Sequence, residues 1–161
     1  MNPIDIEGPV QAEVFVLWLD GDQLTLTGPC GADPWYIEVG ADSDPLDVVS
    51  TVIRRVIGEP LVVHSTSWRR SRGAVVLSFV AAIDPSQVRD MASVPVIRAD
   101  LARNSATAAP GAIASAQVIE HGLRHLAWLI REDPVVAKIL AEGWPLALDS
   151  YVPEPFRSLP T

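Results

Sequence analysis

Five arginines crowd into residues 54–72, at positions 54, 55, 69, 70 and 72, and Glu59 is the only acid in that window. A planar guanidinium meets phosphate or carboxylate with parallel hydrogen bonds, and an aromatic ring beside it can stack on a base or sugar ring. Arg54, Arg55, Trp68, Arg69 and Arg70 are therefore the candidate ligand-binding residues. The ligand they would take is an anionic small molecule or a protein partner. The plainer reading of the same residues is a solvated hairpin tip and an exposed helix face. Both would then pair with the acidic N-terminal third.

Other residues have chemical types but lack the surrounding pattern. His121 and His125 stand four apart on an expected helix, the spacing of a zinc pair, and His64 could join them from the sheet. Gly122 occupies the place where a metalloprotease helix carries its general base. Packing of the histidines at the helix–sheet interface beside Trp128, with Arg124 outward, is the expectation. Asp42, Asp44 and Asp47 precede and open a helix, where capping and the helix dipole account for them. Ser65, Thr66 and Ser67 lack the glycines of a nucleophile elbow. Cys30 follows Pro29 in a turn with no basic partner nearby in sequence. No metal site and no cofactor are expected.

The chain has 161 residues, a hydrophobic fraction of 48%, and a mean hydropathy of +0.24. One domain with a full apolar core follows, spanning 1–161. The net charge of −8 argues against nucleic acid or an anionic membrane as the main partner. That total conceals segregation. Residues 1–53 hold ten acids and no Lys or Arg, residues 54–72 are basic, and the rest is nearly balanced with nine acids and seven bases. The single cysteine excludes an internal disulfide. The start, Met1 to Asp5, does not read as a signal peptide, and the longest apolar run, Ala74–Ile83, is too short to span a bilayer. A cytoplasmic location is the expectation.

These side chains need elements to hold them. Residues 12–19 read as a central strand, with apolar side chains on both faces. Asp20, Gly21 and Asp22 make a turn, and Gln23–Thr27 pairs back. Trp35–Val39 is a third strand. Asp44 caps a helix with Pro45 in its first turn, and Leu46, Val49, Val52, Ile53 and Val56 form its apolar stripe up to a stop at Gly58. Leu61–Thr66 and Gly73–Ile83 are strands, joined by residues 67–72 as a hairpin loop. Residues 84–110 connect, with a short strand near Val94–Ala99. Gly111–Arg131 is the longest helical pattern, marked by Ile113, Val118, Ile119, Leu123, Leu126, Ala127 and Ile130. A second helix starts at Asp133 and Pro134, running to about Ala141 before Gly143. The tail 143–161, with four prolines in Trp144–Thr161, should lie extended, pinned by Trp144, Tyr151 and Phe156. Of the five tryptophans, Trp18 and Trp128 read as core, and Trp35, Trp68 and Trp144 as rim or contact residues.

A strand, a hairpin, a short strand, a glycine before a helix and then a strand pair resembles the Nudix fold. His64 to Arg69 followed by Val75 to Phe79 is similar to the strand pair after the helix in Nudix-like proteins of actinobacteria. His121, Gly122, Leu123, Arg124, His125 and Trp128, with Asp133, Pro134 and the run Tyr151 to Arg157, resemble a C-terminal extension found with such domains. The resemblance covers roughly residues 12–83. It implies an α/β (α+β) architecture, a mixed sheet flanked by helices, with the C-terminal helices within 111–142 as an extension.

Laid from Gly40, the family's box places its Arg at Arg54, apolar positions at Val56 and Val62, and one of its paired Glu at Glu59. Leu46, Arg55 and Gly58 stand where the other Glu belong, and Leu61 stands where Gly belongs. The family uses those carboxylates to hold Mg²⁺ or Mn²⁺ against a diphosphate. Here one carboxylate survives beside a cation. The resemblance thus implies a Nudix-like domain with a degenerate box and no metal-dependent hydrolysis, acting as a ligand- or protein-binding module. The alternative is a divergent hydrolase of nucleoside diphosphate derivatives, using Glu59 with Glu38 or Asp42 and requiring Mg²⁺. A homodimer is compatible with either.

Overall fold

A computed structural model describes residues 9–29, 33–88, 91–98 and 115–153. It shows a mixed α/β fold, a six-stranded sheet covered on both faces by helices. The strands are β1 (Val10–Asp20), β2 (Gln23–Thr27), β3 (Trp35–Val39), β4 (Pro60–Ser71), β5 (Ala74–Ile83) and β6 (Ser93–Pro95). The helices are α1 (Pro45–Val56), α2 (Ser115–Glu132), α3 (Pro134–Ile139) and α4 (Trp144–Ala147).

β1 is central because both its faces are apolar. Its odd-numbered Phe15, Leu17 and Leu19 enter a core with Leu123, Leu126, Leu140 and Trp144. Its even-numbered Ala12, Val14 and Val16 enter a second core with Val49, Ile53 and Phe79. One edge of β1 pairs in parallel with β5, Glu13 lying opposite Ser78. The other edge is shared: Val10–Val14 pair with β3 and Val16–Asp20 with β2, both antiparallel. The main strand order is β4-β5-β1-β2-β6, so β4 is an edge strand.

α1 forms where capping and stripe coincide. The Asp44 side chain accepts from the Leu46 N–H at 2.9 Å, and Pro45 needs no donor partner in the first turn. Val49 and Ile53 are buried, whereas Leu46 and Val56, at the two ends of the expected stripe, are exposed. The helix ends with the Ile57 and Gly58 N–H groups both donating to the Ile53 carbonyl. Gly58 has φ +154°, a backbone conformation that other residues rarely adopt, and a Cβ there would displace the exposed Gln87 side chain, whose oxygen would lie 1.9 Å away.

Two expectations are corrected. Residues 67–72 are not a hairpin loop. β4 continues to Ser71, with Trp68, Arg69 and Arg70 opposite Leu77, Val76 and Val75. Only Arg72 and Gly73 turn, at φ 50° and 80°, the two positive values of a tight type I′ hairpin. Charge misled the reading, because an edge strand with one open flank tolerates polar side chains. The tail is also not extended throughout. Residues 144–147 form α4, and Trp144 is buried rather than on a rim, as is Tyr151. The short strand after β5 is Ser93–Pro95. Cys30, Ala99, Ile113 and Phe156, the N-terminus to Gly8 and the start of the long helical pattern at 111–114 lie outside the described residues. No described helix is long and apolar enough to cross a membrane.

Candidate functional site

The basic window is divided among three places. Arg54 and Arg55 occupy the last turn of α1, where cations suit the helix dipole. Arg54 Nε donates to Glu59 Oε2 at 2.9 Å, and both side chains are more than half exposed. Such a surface pair contributes at most about 1 kcal/mol. Arg55 borders a shallow concavity of about 380 Å³ on the outer side of α1, with Asp44, Asp47 and Thr51.

β4 separates the remaining three by alternation. Arg69 points to the α2 side of the sheet, where both guanidinium NH groups donate to Glu13, one to Oε1 and the other to Oε2 at 2.8 Å. Ser78 Oγ also donates to Glu13 Oε1, at 2.6 Å. Glu13 is 1% exposed. This network lifts the Arg69 pKa above its ordinary value, chiefly through the hydrogen bond to Glu13 and against desolvation by burial. Arg69 is therefore a structural counter-ion for one acid of the N-terminal third, whereas Arg54 pairs with Glu59 inside the basic window itself.

Trp68 and Arg70 face the other way. Trp68 lies opposite Leu77, whose side chain packs on the α1-side core. Trp68 is 58% exposed, and Arg70 is exposed and makes no ion pair among the described residues. A groove of about 360 Å³ runs between the start of α1 and the sheet, lined in part by Asp44, Leu46, Ser65 and Leu77, the last lying opposite Trp68. Arg54 and Arg55 are at the far end of α1, which is about 18 Å long. The five candidate residues do not share one cleft. Trp68 and Arg70 alone share a face.

The histidines meet at the α2–β4 contact. The His64 and His125 rings lie 4.6 Å apart at 80°, and Trp128 stacks obliquely on His125 at 5.9 Å. Burial pushes the His125 pKa down to about 4, helped by neighbouring His64 and His121. Burial also lowers that of His64, opposed by Asp133. His64 and His125 are thus packed, neutral rings beside Trp128, with His125 the one of the expected helical pair that meets the sheet in a ring contact. Arg124, expected outward, instead folds inward, its Nε 3.5 Å from Glu120 and its side chain 11% exposed.

Sequence reasoning passed over both buried carboxylates. Glu120 is 2% exposed and binds Arg98 through Nε at 2.8 Å and a terminal nitrogen at 3.3 Å. Arg98 also donates to the Ser150 side chain and carbonyl, and lies 3.8 Å above the centre of the Tyr151 ring. Burial raises the Tyr151 pKa despite that cation. A signal was present. Glu13 and Glu120 each interrupt an apolar run at a core position, and an acid there requires a cation.

Among the described residues no three His, Cys, Asp or Glu side chains gather closely enough to hold a metal ion. No protein-family model matches the chain, and neither does any curated protein.

Proposed function

We propose that this chain is a Nudix-like domain that does not hydrolyse diphosphates and serves as a binding module, receiving an anionic group at Trp68 and Arg70. The observation that carries the reading is the exposure of Trp68 beside Arg70 on one face of β4. A half-exposed indole next to an uncompensated guanidinium offers stacking area and a charge-assisted bond to one ligand. The engagement of Glu59 by Arg54 supports the loss of hydrolysis, since the surviving box carboxylate already has a cation. The order of elements around α1 supports the Nudix likeness.

The test combines turnover with binding. Nucleoside diphosphate derivatives are incubated with Mg²⁺ and Mn²⁺ at high protein concentration, and no turnover is expected. Thermal unfolding is then followed with ADP, pyrophosphate and triglutamate. At least one should raise the midpoint in wild type, and the rise should vanish in Arg70→Ala and shrink in Trp68→Ala. Metal-dependent turnover, or no anion-dependent rise, would overturn the reading.

A further inference from the structure

Residues 67–71 of β4 combine an open backbone edge with a cationic, aromatic face. Among the described residues no strand pairs with the outer edge of β4, and no loop backbone hydrogen bond involves residues 60–72. An unpaired edge is a row of donors and acceptors ready for another strand. Proteins blunt such edges with proline, bulges and charge; in β4 the proline and the bulge come before Ser67, and only charge guards the second half. Pro60 opens the strand, and the register shifts between Ser65 and Ser67, leaving Thr66 as an extra residue. Beyond the bulge, Ser67 to Ser71 pair regularly with Ser78 to Ala74. That regular half remains fit for strand addition.

Charge selects the occupant. Arg69 is neutralised by Glu13, whereas Arg70 and the turn residue Arg72 make no ion pair among the described residues. A second copy of the chain pairing here would bring Arg70 and Arg72 of both copies together, and like charges across a strand pair are destabilising. An acidic strand would instead set a carboxylate against Arg70 and an apolar side chain against Trp68, two residues apart on one face. The net charge of −8 repels a highly charged polyanion at long range, so a short acidic segment fits best.

Resting on the binding reading above, we propose that this half of β4 takes an extended acidic segment of another protein as an added edge strand. Backbone hydrogen bonds would supply affinity, and Trp68 with Arg70 would supply selectivity, the division of labour seen in strand-addition modules.

The test uses a labelled, end-blocked heptapeptide Glu-Thr-Val-Thr-Glu-Thr-Val, which alternates Glu and Val along one face, and its twin N-methylated at alternate residues on the edge that would meet β4. Methylation removes donors without changing charge. Anisotropy titrations should show the plain peptide binding and the methylated twin binding at least about tenfold more weakly. Arg70→Glu should weaken the plain peptide by about tenfold or more. Arg70 is exposed, so this variant should keep the wild-type urea midpoint. Equal binding of the two peptides would overturn strand addition and leave the anion-binding reading standing. No binding of either, with a pyrophosphate-induced rise in melting midpoint intact, would do the same. Loss of both would remove the two readings together.

Discussion

Glu13 on the central strand and Arg69 on the edge strand are joined by paired hydrogen bonds across β5, with Ser78 of the intervening strand donating to the same carboxylate. A residue from the most acidic part of the chain is thus buried, and a residue from the most basic part neutralises it. Because β5 separates β1 from β4, this contact ties three strands together on the α2 side.

Arg69→Ala should therefore cost stability rather than binding alone. It leaves the Glu13 carboxylate buried without its counter-ion, and removing one partner of a buried pair costs on the order of 3 kcal/mol. Urea unfolding measures the loss. The double variant Glu13→Gln with Arg69→Met should recover most of it. Additive losses in the double variant would show that the pair is not coupled.

Stability should fall in mild acid. The folded-state pKa of His125, about 4, lies below its ordinary 6.5, and that of His64 is lowered in the same direction. Below pH 6.5 the unfolded chain binds protons that the folded chain refuses. The stabilisation is thus complete above pH 6.5 and is lost progressively as pH drops toward 4. Each such proton gives a slope of up to about 1.4 kcal/mol per pH unit. His125→Gln should flatten unfolding free energy against pH over this range. An unchanged slope would contradict the burial argument.

At Gly122 α2 packs tightly against the sheet. A Cβ there would lie 2.8 Å from a Val80 methyl and 3.4 Å from the Thr66 methyl. Val80 is branched and buried, so it cannot swing aside cheaply. Gly122→Ala gains about 1 kcal/mol of helix propensity but incurs about 1–3 kcal/mol of overpacking. A net decrease in unfolding free energy is expected, visible in the urea midpoint. Stabilisation would mean that α2 can shift.

Arg98→Lys should not substitute for the native residue. Arg98 uses Nε and both terminal nitrogens, on Glu120 and Ser150, while its plane covers the Tyr151 ring. An ammonium cannot reproduce that fork and stack. Because Arg98 is about half exposed and Arg124 also faces Glu120, the loss should be moderate, about 1–2 kcal/mol. Equal stability of the Lys variant would show that charge alone matters.

Much of the fold was legible because local signals agreed with tertiary demand. β2 and β3 have the bounds that alternation predicts, and α1 begins where Asp44 and Pro45 place it. The β3 pattern records burial on one face, whereas in β2 the alternating threonines are buried along with the leucines. The candidate site was less legible. Arg69 and Arg70 are adjacent in sequence yet belong to opposite faces, and treating 67–72 as a loop concealed the alternation that separates them.

Composition and pattern by themselves determined the α/β class, the central place of β1 and the inversion of charge between the acidic third and residues 54–72. Tertiary structure alone decided which arginines are free. Whether a guanidinium is available depends on what lies across the sheet from it. Glu13 reaches Arg69 from 56 positions away, and Glu59 engages Arg54 across the helix end. Linear spacing carries no record of such partners, because strand order brings them together only after the chain has folded. That pairing leaves Arg55, Arg70 and Arg72 exposed and outside any ion pair among the described residues, and of these Arg70 is the one beside Trp68.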